Sequence, residues 1–322
     1  MNKSTRNLLI VFVILAVIVF IFFKGKDKIS TEKVEEKLFT ADSSKIEKIE
    51  IVKDKESITV EKVNGKWMVT KPVNYPADTL AITPMLSDLK NFQIESIISE
   101  NPEKFSTYLD SVNNASVSVY QEGKKLGTFI LGKSAISYEN SYIKLPDQNK
   151  ILLATHLGQN NFTKPLKDFR YKIIMQVPSF SLTSISFKSN DSNKVDLTAI
   201  KDSSGRWFIG TDSIPSVNIS GFLNQMENFT TEDFIDSVIT EFPAPVYTIT
   251  LNGQKPTVIN LYKMPNTAPV TYMIQVSDIK QIFKVSEAIA GTLTKKKKDF
   301  IPEKTPEKKE VTPPTTKTPV KK

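Results

Sequence analysis

The chain of 322 residues contains no cysteine, one histidine and eleven glycines. The missing cysteine excludes disulfides, thiolate metal sites, a cysteine nucleophile and a lipid-modified cysteine anchor. It leaves the compartment open, because a chain of this length can bury adequate cores without staples on either side of a membrane. With His156 as the only histidine, a metal site would need carboxylates almost alone, the donor set of Mg²⁺ or Ca²⁺. The runs DSSK (42–45) and NDSN (190–193) hold too few alternating acids for a calcium loop. Few glycines also means few loops able to cradle phosphate, and neither G-x-x-x-x-G-K-[ST] nor G-x-G-x-x-G occurs. G-x-S-x-G is missing too, so no serine nucleophile is marked.

Positive charge on the folded part is scarce. The net charge of +8 belongs to the ends: residues 1–28 carry +4 and residues 295–322 carry +6, which leaves residues 29–294 at −2. A nucleic-acid reader carries its positive charge on the domain itself, so nucleic acid is set aside as a partner.

What the chain does have is one long apolar run. Leu8 to Phe23 reads LLIVFVILAVIVFIFF, with no glycine, proline or polar break. As a helix it would cover roughly 24 Å, a little under the ~30 Å hydrocarbon core of a bilayer. Asn7 and the stems of Arg6, Lys24 and Lys26 can supply the rest. A cleaved signal peptide would show a shorter run followed by small residues, whereas this one ends in Phe-Ile-Phe-Phe-Lys. The expectation is an uncleaved transmembrane signal anchor over 8–24, after a cytoplasmic stub at 1–7. Lys3, Arg6 and the amino terminus face Lys24, Lys26 and Lys28 across the run, so flanking charge is nearly balanced. A short stub most simply stays inside, which places the rest of the chain outside the cytoplasm.

After the anchor the chain repeats itself. Ile46, Ile49 and Ile51 fall on Leu182, Ile185 and Phe187. VNGKWMV around Trp67 falls on SSGRWFI around Trp207. TLAITPMLSDLKNF (79–92) matches SVNISGFLNQMENF (216–229), pairing Leu80, Ile82, Leu86, Leu89 and Phe92 with Val217, Ile219, Leu223, Met226 and Phe229. SVYQEGKKLGTFIL matches TITLNGQKPTVINL, and the segment from Tyr142 matches that from Tyr272. Lys167-Asp168-Phe169 closes the first copy and Lys298-Asp299-Phe300 the second.

Within each copy, alternating residues predict a hairpin, turning at Asn64-Gly65 and at Ser204-Gly205. A helix follows, capped by Asp78 or else by Thr83 with Pro84 as its first residue. A variable loop, a second hairpin and a third strand pair complete the copy, with turns at Glu122-Gly123 and Asn252-Gly253, then near Asp147 and Ser277. A short helix ends each copy. The fold class is α+β: two tandem copies of a mostly antiparallel sheet with one or two helices packed on a face, preceded by one transmembrane helix. The expected organisation is a linker over 25–44, a first repeat over 45–176, a second over 177–300, and a disordered Lys/Pro/Thr-rich tail over 301–322.

Chemistry-bearing residues are few. His156 ends a strand, its repeat partner is Ser286, and it reads as a surface histidine. Asp110, Asp168 and Asp299 could supply an acid pair. Asp168 and Asp299 hold equivalent places, however, so each more simply does the same structural job of capping or pairing with Arg170 or a lysine. Trp67 and Trp207 read as core anchors just past a hairpin turn. Lys295 to Lys298 could touch an anionic surface, though a solvated terminus explains them too. No catalytic, cofactor-binding or metal-binding residue is assigned, and no small-molecule cofactor is implied.

The paired strands before Trp67, PVNYPAD (72–78), Tyr108-Leu109-Asp110, the glycine-turn hairpin ending in Leu131-Gly132, and Asp168-Phe169-Arg170-Tyr171-Lys172 together resemble the bacterial "domain of unknown function 4340" family, over most of residues 45–175. Tyr108-Leu109 lacks the glycine often found between those two residues. The resemblance implies a membrane-anchored envelope protein, some relatives of which accompany the membrane parts of gliding-motility-type ABC transporters. It supplies no catalytic residues. The leading expectation is therefore a non-catalytic accessory subunit in a bacterial inner membrane, with its domain on the periplasmic side and transporter subunits as partners. The alternatives are a peptidoglycan- or polysaccharide-binding module and a membrane-bound hydrolase.

Overall fold

Alternation of apolar and polar residues runs through the chain from Ile46 onward, and the backbone follows it into strands. The computed structural model describes residues 3–24, 38, 41–110, 114–190 and 196–302, divided between two compact units, Met1–Tyr171 and Lys172–Lys322. The tail from 303 and most of the linker expected over 25–44 lie outside the described residues.

Unit 1 contains α1 (Lys3–Lys24), β1 (Ile46–Lys53), β2 (Glu56–Val63), β3 (Lys66–Lys71), β4 (Tyr75–Pro76), α2 (Thr79–Asn91), β5 (Gln93–Ser99), α3 (Phe105–Tyr108), β6 (Ala115–Gln121), β7 (Lys124–Ser134), β8 (Ser141–Lys144), β9 (Ile151–Thr155) and α4 (Gln159–Phe162). Unit 2 contains β10 (Ile173–Met175), β11 (Ser184–Ser189), β12 (Asp196–Lys201), β13 (Trp207–Ile209), β14 (Asp212–Ile214), α5 (Ser216–Glu227), β15 (Phe229–Thr230), β16 (Asp233–Ile235), β17 (Tyr247–Asn252), β18 (Thr257–Lys263), β19 (Thr271–Val276), β20 (Ile282–Ser286), α6 (Glu287–Leu293) and α7 (Lys297–Phe300).

Each unit forms one nine-stranded sheet, ordered β4-β3-β2-β1-β6-β7-β8-β9-β5 and β14-β13-β12-β11-β17-β18-β19-β20-β16. The two orders are the same topology written twice, as the repeat in the sequence predicts. Strands are more numerous than expected, and the added strands are the sheet edges. In each unit the chain crosses from one edge strand to the other through a helix. A flat sheet of nine strands would measure roughly 38 Å between its edges. Helix α2, with 13 residues, spans only ~20 Å, and its few flanking residues add about 10 Å. The sheet of unit 1 therefore coils around α2. It buries Ala81, Ile82, Met85 and Leu89 against Ile49, Val119, Phe129 and Leu131.

Local chemistry explains the ends. Asp78 is the N-cap of α2, its Oδ1 accepting from the Leu80 N–H at 2.9 Å, and Pro84 lies inside the helix rather than at its start. Leu80 and Val217 do not join the buried face; they are 82% and 77% exposed in the first turn, where Ala81 and Asn218 turn inward instead. Asn64-Gly65 and Glu122-Gly123 take the paired positive φ values of two-residue hairpin turns. The second copy differs at both places. Asp202 and Arg206 bracket a three-residue loop there, with Gly205 at φ +83°. The Asn252-Gly253 turn opens into the loop Gly253–Pro256, because Pro256 has no N–H with which to continue the ladder.

Helix α1 encloses the apolar run. Its described side chains, among them Leu9, Ile14 and Phe20, are exposed. Leu8, Val11 and Ile21 to Phe23 lie outside the described side chains. Among those that are described, no helix is long and apolar enough to cross a membrane.

Candidate functional site

The third turn of α2 carries polar residues on the side away from its buried face: Ser87, Asp88 and Asn91. Two loops come to meet it. The first joins β7 to β8 and presents Tyr138 and Glu139; the second leaves β9 at His156 and turns into α4. Together they enclose a cavity of about 350 Å³ within unit 1.

The turn at His156 makes this geometry. His156 adopts φ +55°, a left-handed conformation that costs a non-glycine residue about 1–3 kcal/mol unless its surroundings hold it there. Its N–H donates to Asn140 Oδ1 at 3.2 Å. The next N–H, of Leu157, donates to the Glu139 carbonyl at 2.7 Å, and the Ser141 hydroxyl donates to the Leu157 carbonyl at 2.6 Å. The reversal buries the Leu157 side chain completely and leaves the His156 ring exposed. Gly158 then passes so close to α2 that a Cβ there would sit 3.3 Å from Asn161 Nδ2 and 3.5 Å from Asp88 Oδ2. That approach lets the Gly158 N–H reach Asp88 Oδ2 at 3.0 Å, and Asn161 Nδ2 donates to the same oxygen at 2.8 Å.

Asp88 is half-buried, and burial pushes its carboxyl above the usual aspartate value. The Asn161 and Gly158 hydrogen bonds and the nearby His156 oppose that rise, while the charge of Glu139 adds to it. Both hydrogen bonds converge on Oδ2, so Oδ1 accepts none from a described residue. The His156 ring makes no hydrogen bond to Ser87, Asp88 or Glu139 among the described residues. A nucleophile, base and orienting acid are thus not linked here. Among the described residues no cluster of three or more acids and histidines is placed to hold a metal.

Unit 2 is built differently at the same place. Cross-strand registers set Ile143 and Ile274 in equivalent positions, paired with Leu131 and Leu261 on one side and with Leu152 and Phe283 on the other. The counterpart of His156 is then Glu287, one residue beyond the Ser286 that the sequence alignment places there. Strand β20 runs directly into α6, whose N-cap Ser286 accepts from the Ile289 N–H. Gln225, matching Asp88, donates to Thr292 Oγ1 at 2.6 Å and ties α5 to α6.

The other residues singled out in the sequence serve the framework. Trp207 is buried and Trp67 packs half-buried against the core. Each sits opposite a lysine in the neighbouring strand, Lys62 5.3 Å and Lys201 5.8 Å from the ring centroid. Asp168 and Asp299 end matching turns, their N–H groups donating to the carbonyls of Pro165 and Lys296. Asp299 Oδ2 also accepts from the Lys296 N–H at 2.7 Å. Buried Phe169 and Phe300 follow them. The Phe169 carbonyl accepts from the Asp78 N–H, and that of Phe300 from Asn218 Nδ2, so each copy's last segment docks at the start of its own helix. Arg170 is fully buried with its guanidinium 4.5 Å over the Tyr75 ring, beside its bridge to Ala77. Asp110 lies in the loop before β6, its N–H donating to Asn114 Oδ1. Lys297 pairs with Asp212 at an exposed surface. Asp88, Glu139, Asn91 and Asn161 were not expected from the sequence. Only the unduplicated His156 pointed toward this place.

No curated protein and no solved structure shows significant similarity to the chain. Residues 67–247 match the family described as "Domain of unknown function (DUF4340)". The match starts at Trp67 in β3, continues past the boundary at Tyr171 and ends at Tyr247 in β17, so it includes α2, the cavity and the helix of the second copy. It extends well beyond the first repeat, where the resemblance in the sequence is concentrated. Covering more than half of the chain, it makes this protein a member of the DUF4340 family.

Proposed function

We propose that the protein is a non-catalytic, membrane-anchored envelope protein, an accessory subunit of an ABC-transporter-type or gliding-motility-type complex. In this reading α1 crosses the bacterial inner membrane once, residues 1–7 stay in the cytoplasm, and both α+β units lie on the periplasmic side. The observation that carries the anchor is α1 itself. From Phe12 to Phe20 every large apolar side chain is about half exposed or more, from 47% at Ile18 to 71% at Phe12. Consecutive helical residues point in all directions, so this helix is apolar all round and calls for an apolar medium on every side.

The interaction role is supported by the two sheets. Both copies keep the same strand order and the buried pairs Phe92/Phe229 and Phe169/Phe300, while the polar side chains around them differ, as in a scaffold whose surface has specialised. Sheet edges are poor places for a partner strand. In unit 1 the β4 edge is covered by the backbone of Phe169 to Tyr171, and the β5 edge is interrupted by two register shifts. In unit 2 the edge strands β14 and β16 have three residues each. Partners are therefore met by loops and helix faces, and tethering raises the local concentration at which they meet.

The test is affinity purification of the full-length chain from gently solubilised native membranes, beside a variant lacking residues 1–24. Recovery of stoichiometric permease or ATPase subunits with the full chain alone is the expected result. Recovery of the chain without partners, under conditions that keep a known transporter intact, would sink the accessory role. Finding the full chain in the soluble fraction would sink the anchor. Protease added to intact spheroplasts should cut the two units; their protection would reverse the orientation.

A further inference from the structure

We propose that the cavity between α2, the β7–β8 loop and α4 binds a neutral saccharide. A sugar hydroxyl both donates and accepts, and the walls answer with groups that do the same or only accept: the amides of Asn91, Asn160 and Asn161 and the carboxylates of Asp88 and Glu139. One acceptor is already aimed. Asp88 Oδ2 is held by two donors at 3.0 and 2.8 Å, which orients the carboxylate and leaves Oδ1 for a ligand. Among the described residues no lysine or arginine lines the cavity and His156 is its one basic side chain, so the two carboxylates would repel a phosphate or a uronate. Tyr138, 80% exposed beside the opening, offers an aromatic surface for the C–H face of a pyranose ring. The volume of about 350 Å³ admits one or two sugar rings.

The duplication supplies an internal comparison. In unit 2 the same helix and the same following segment are joined by the Gln225–Thr292 hydrogen bond, and the left-handed turn of His156 has no counterpart. The strained turn, the close pass of Gly158 and the polar walls occur together in unit 1, where they leave a concave surface. The site stands whether or not the protein accompanies a transporter.

The experiment is saturation-transfer difference NMR on the full chain in lipid nanodiscs, with maltotriose, cellotriose and tri-N-acetylchitotriose each added at millimolar concentration. Transfer to at least one of them is expected. Tyr138→Ala and Asn160→Ala should each weaken that binding by about tenfold or more, while Tyr138→Phe retains it. Both residues, Tyr138 and Asn160, are at the surface, and the thermal midpoint reported by Trp67 verifies that the three variants fold. No transfer to any of the sugars overturns the proposal. Equal transfer to the alanine variants overturns it as well, by locating the contact elsewhere. Tighter binding of glucuronate than of any neutral sugar refutes the charge argument.

Discussion

Gly132 offers a direct test of the close packing in unit 1. It lies in β7, and a Cβ added there would stand 2.6 Å from the Tyr108 carbonyl oxygen, 2.9 Å from Leu109 Cδ2 and 3.2 Å from the Tyr142 carbonyl oxygen. Two of these neighbours are backbone atoms that no rotamer change can remove. The end of α3 and strand β8 must move apart, and the Tyr108–Tyr142 ring contact, with centroids 4.9 Å apart, moves with them. Overpacking of this kind costs about 1–3 kcal/mol. The lost freedom of the unfolded chain returns about 0.4–1 kcal/mol. The contacts at 2.6 and 2.9 Å place the cost in the upper half of that range, so Gly132→Ala should destabilise unit 1 by about 1–2 kcal/mol, a fall of roughly 3–8 °C in its midpoint. Each unit holds one tryptophan, so fluorescence in a Trp207→Phe background follows unit 1 through Trp67. Gly221→Ala, followed through Trp207 in a Trp67→Phe background, is the control. It lies in α5 with nothing within 4 Å of the added carbon, and the same chemical change there should stabilise unit 2 by about 0.5–1 kcal/mol. An unchanged or raised Trp67 midpoint in Gly132→Ala would refute the reasoning, because the crowding would then be relieved without cost.

Two further outcomes follow from the cores and turns. Phe129 is fully buried between Phe92 and Phe162, at centroid distances of 5.8 and 6.4 Å, so Phe129→Ala should cost unit 1 about 3–5 kcal/mol in denaturant unfolding and leave the Trp207 transition in place. Asp202 is held down to about 2, first by the Ser204 hydroxyl and then by the Arg206 N–H. Its pKa is depressed by folding, so its contribution to unit 2 is present above the unfolded aspartate value near 3.8 and is lost as the pH falls toward 2. The stability gap between wild type and Asp202→Ala should accordingly shrink between those limits when unfolding is followed through Trp207, and a constant gap would count against the turn.

The central strands are legible in the sequence because each has one face buried and one solvated, and the pattern survives in both copies. The edges are not. Strands β4, β14 and β16 have two or three residues, too few to show any period. In QIESIIS, which forms β5, register shifts after Ile94 and Ile97 break the alternation. The segment therefore reads as a variable loop although it closes the sheet. The hairpin at Asn252-Gly253 fails for a different reason. The dipeptide is a sound turn signal, but Pro256 has no N–H with which to continue the ladder beyond a tight turn. Leu80 and Val217 fit the helical spacing, yet at the first turn they point past the end of the face that the sheet covers.

The candidate site was hidden because its parts come from three distant segments, and each part is a residue type common on any surface. Comparing the copies could have exposed it, but the comparison depends on register. With Ser286 opposite His156, the histidine is one unmatched surface residue. With Glu287 there, the offset of 131 that relates Ile143 to Ile274 also sets Thr292 opposite Asn161 and Leu293 opposite Phe162. Asp88–Asn161 and Gln225–Thr292 then become two versions of one contact between a helix and the segment after the last strand. A neutral amide–hydroxyl pair can close that contact without excess charge. A carboxylate fixed by an amide and a backbone N–H keeps a second oxygen, and its burial raises its pKa. Retaining such a group at some cost in desolvation, where the other copy does without it, is what a binding site requires and a scaffold does not.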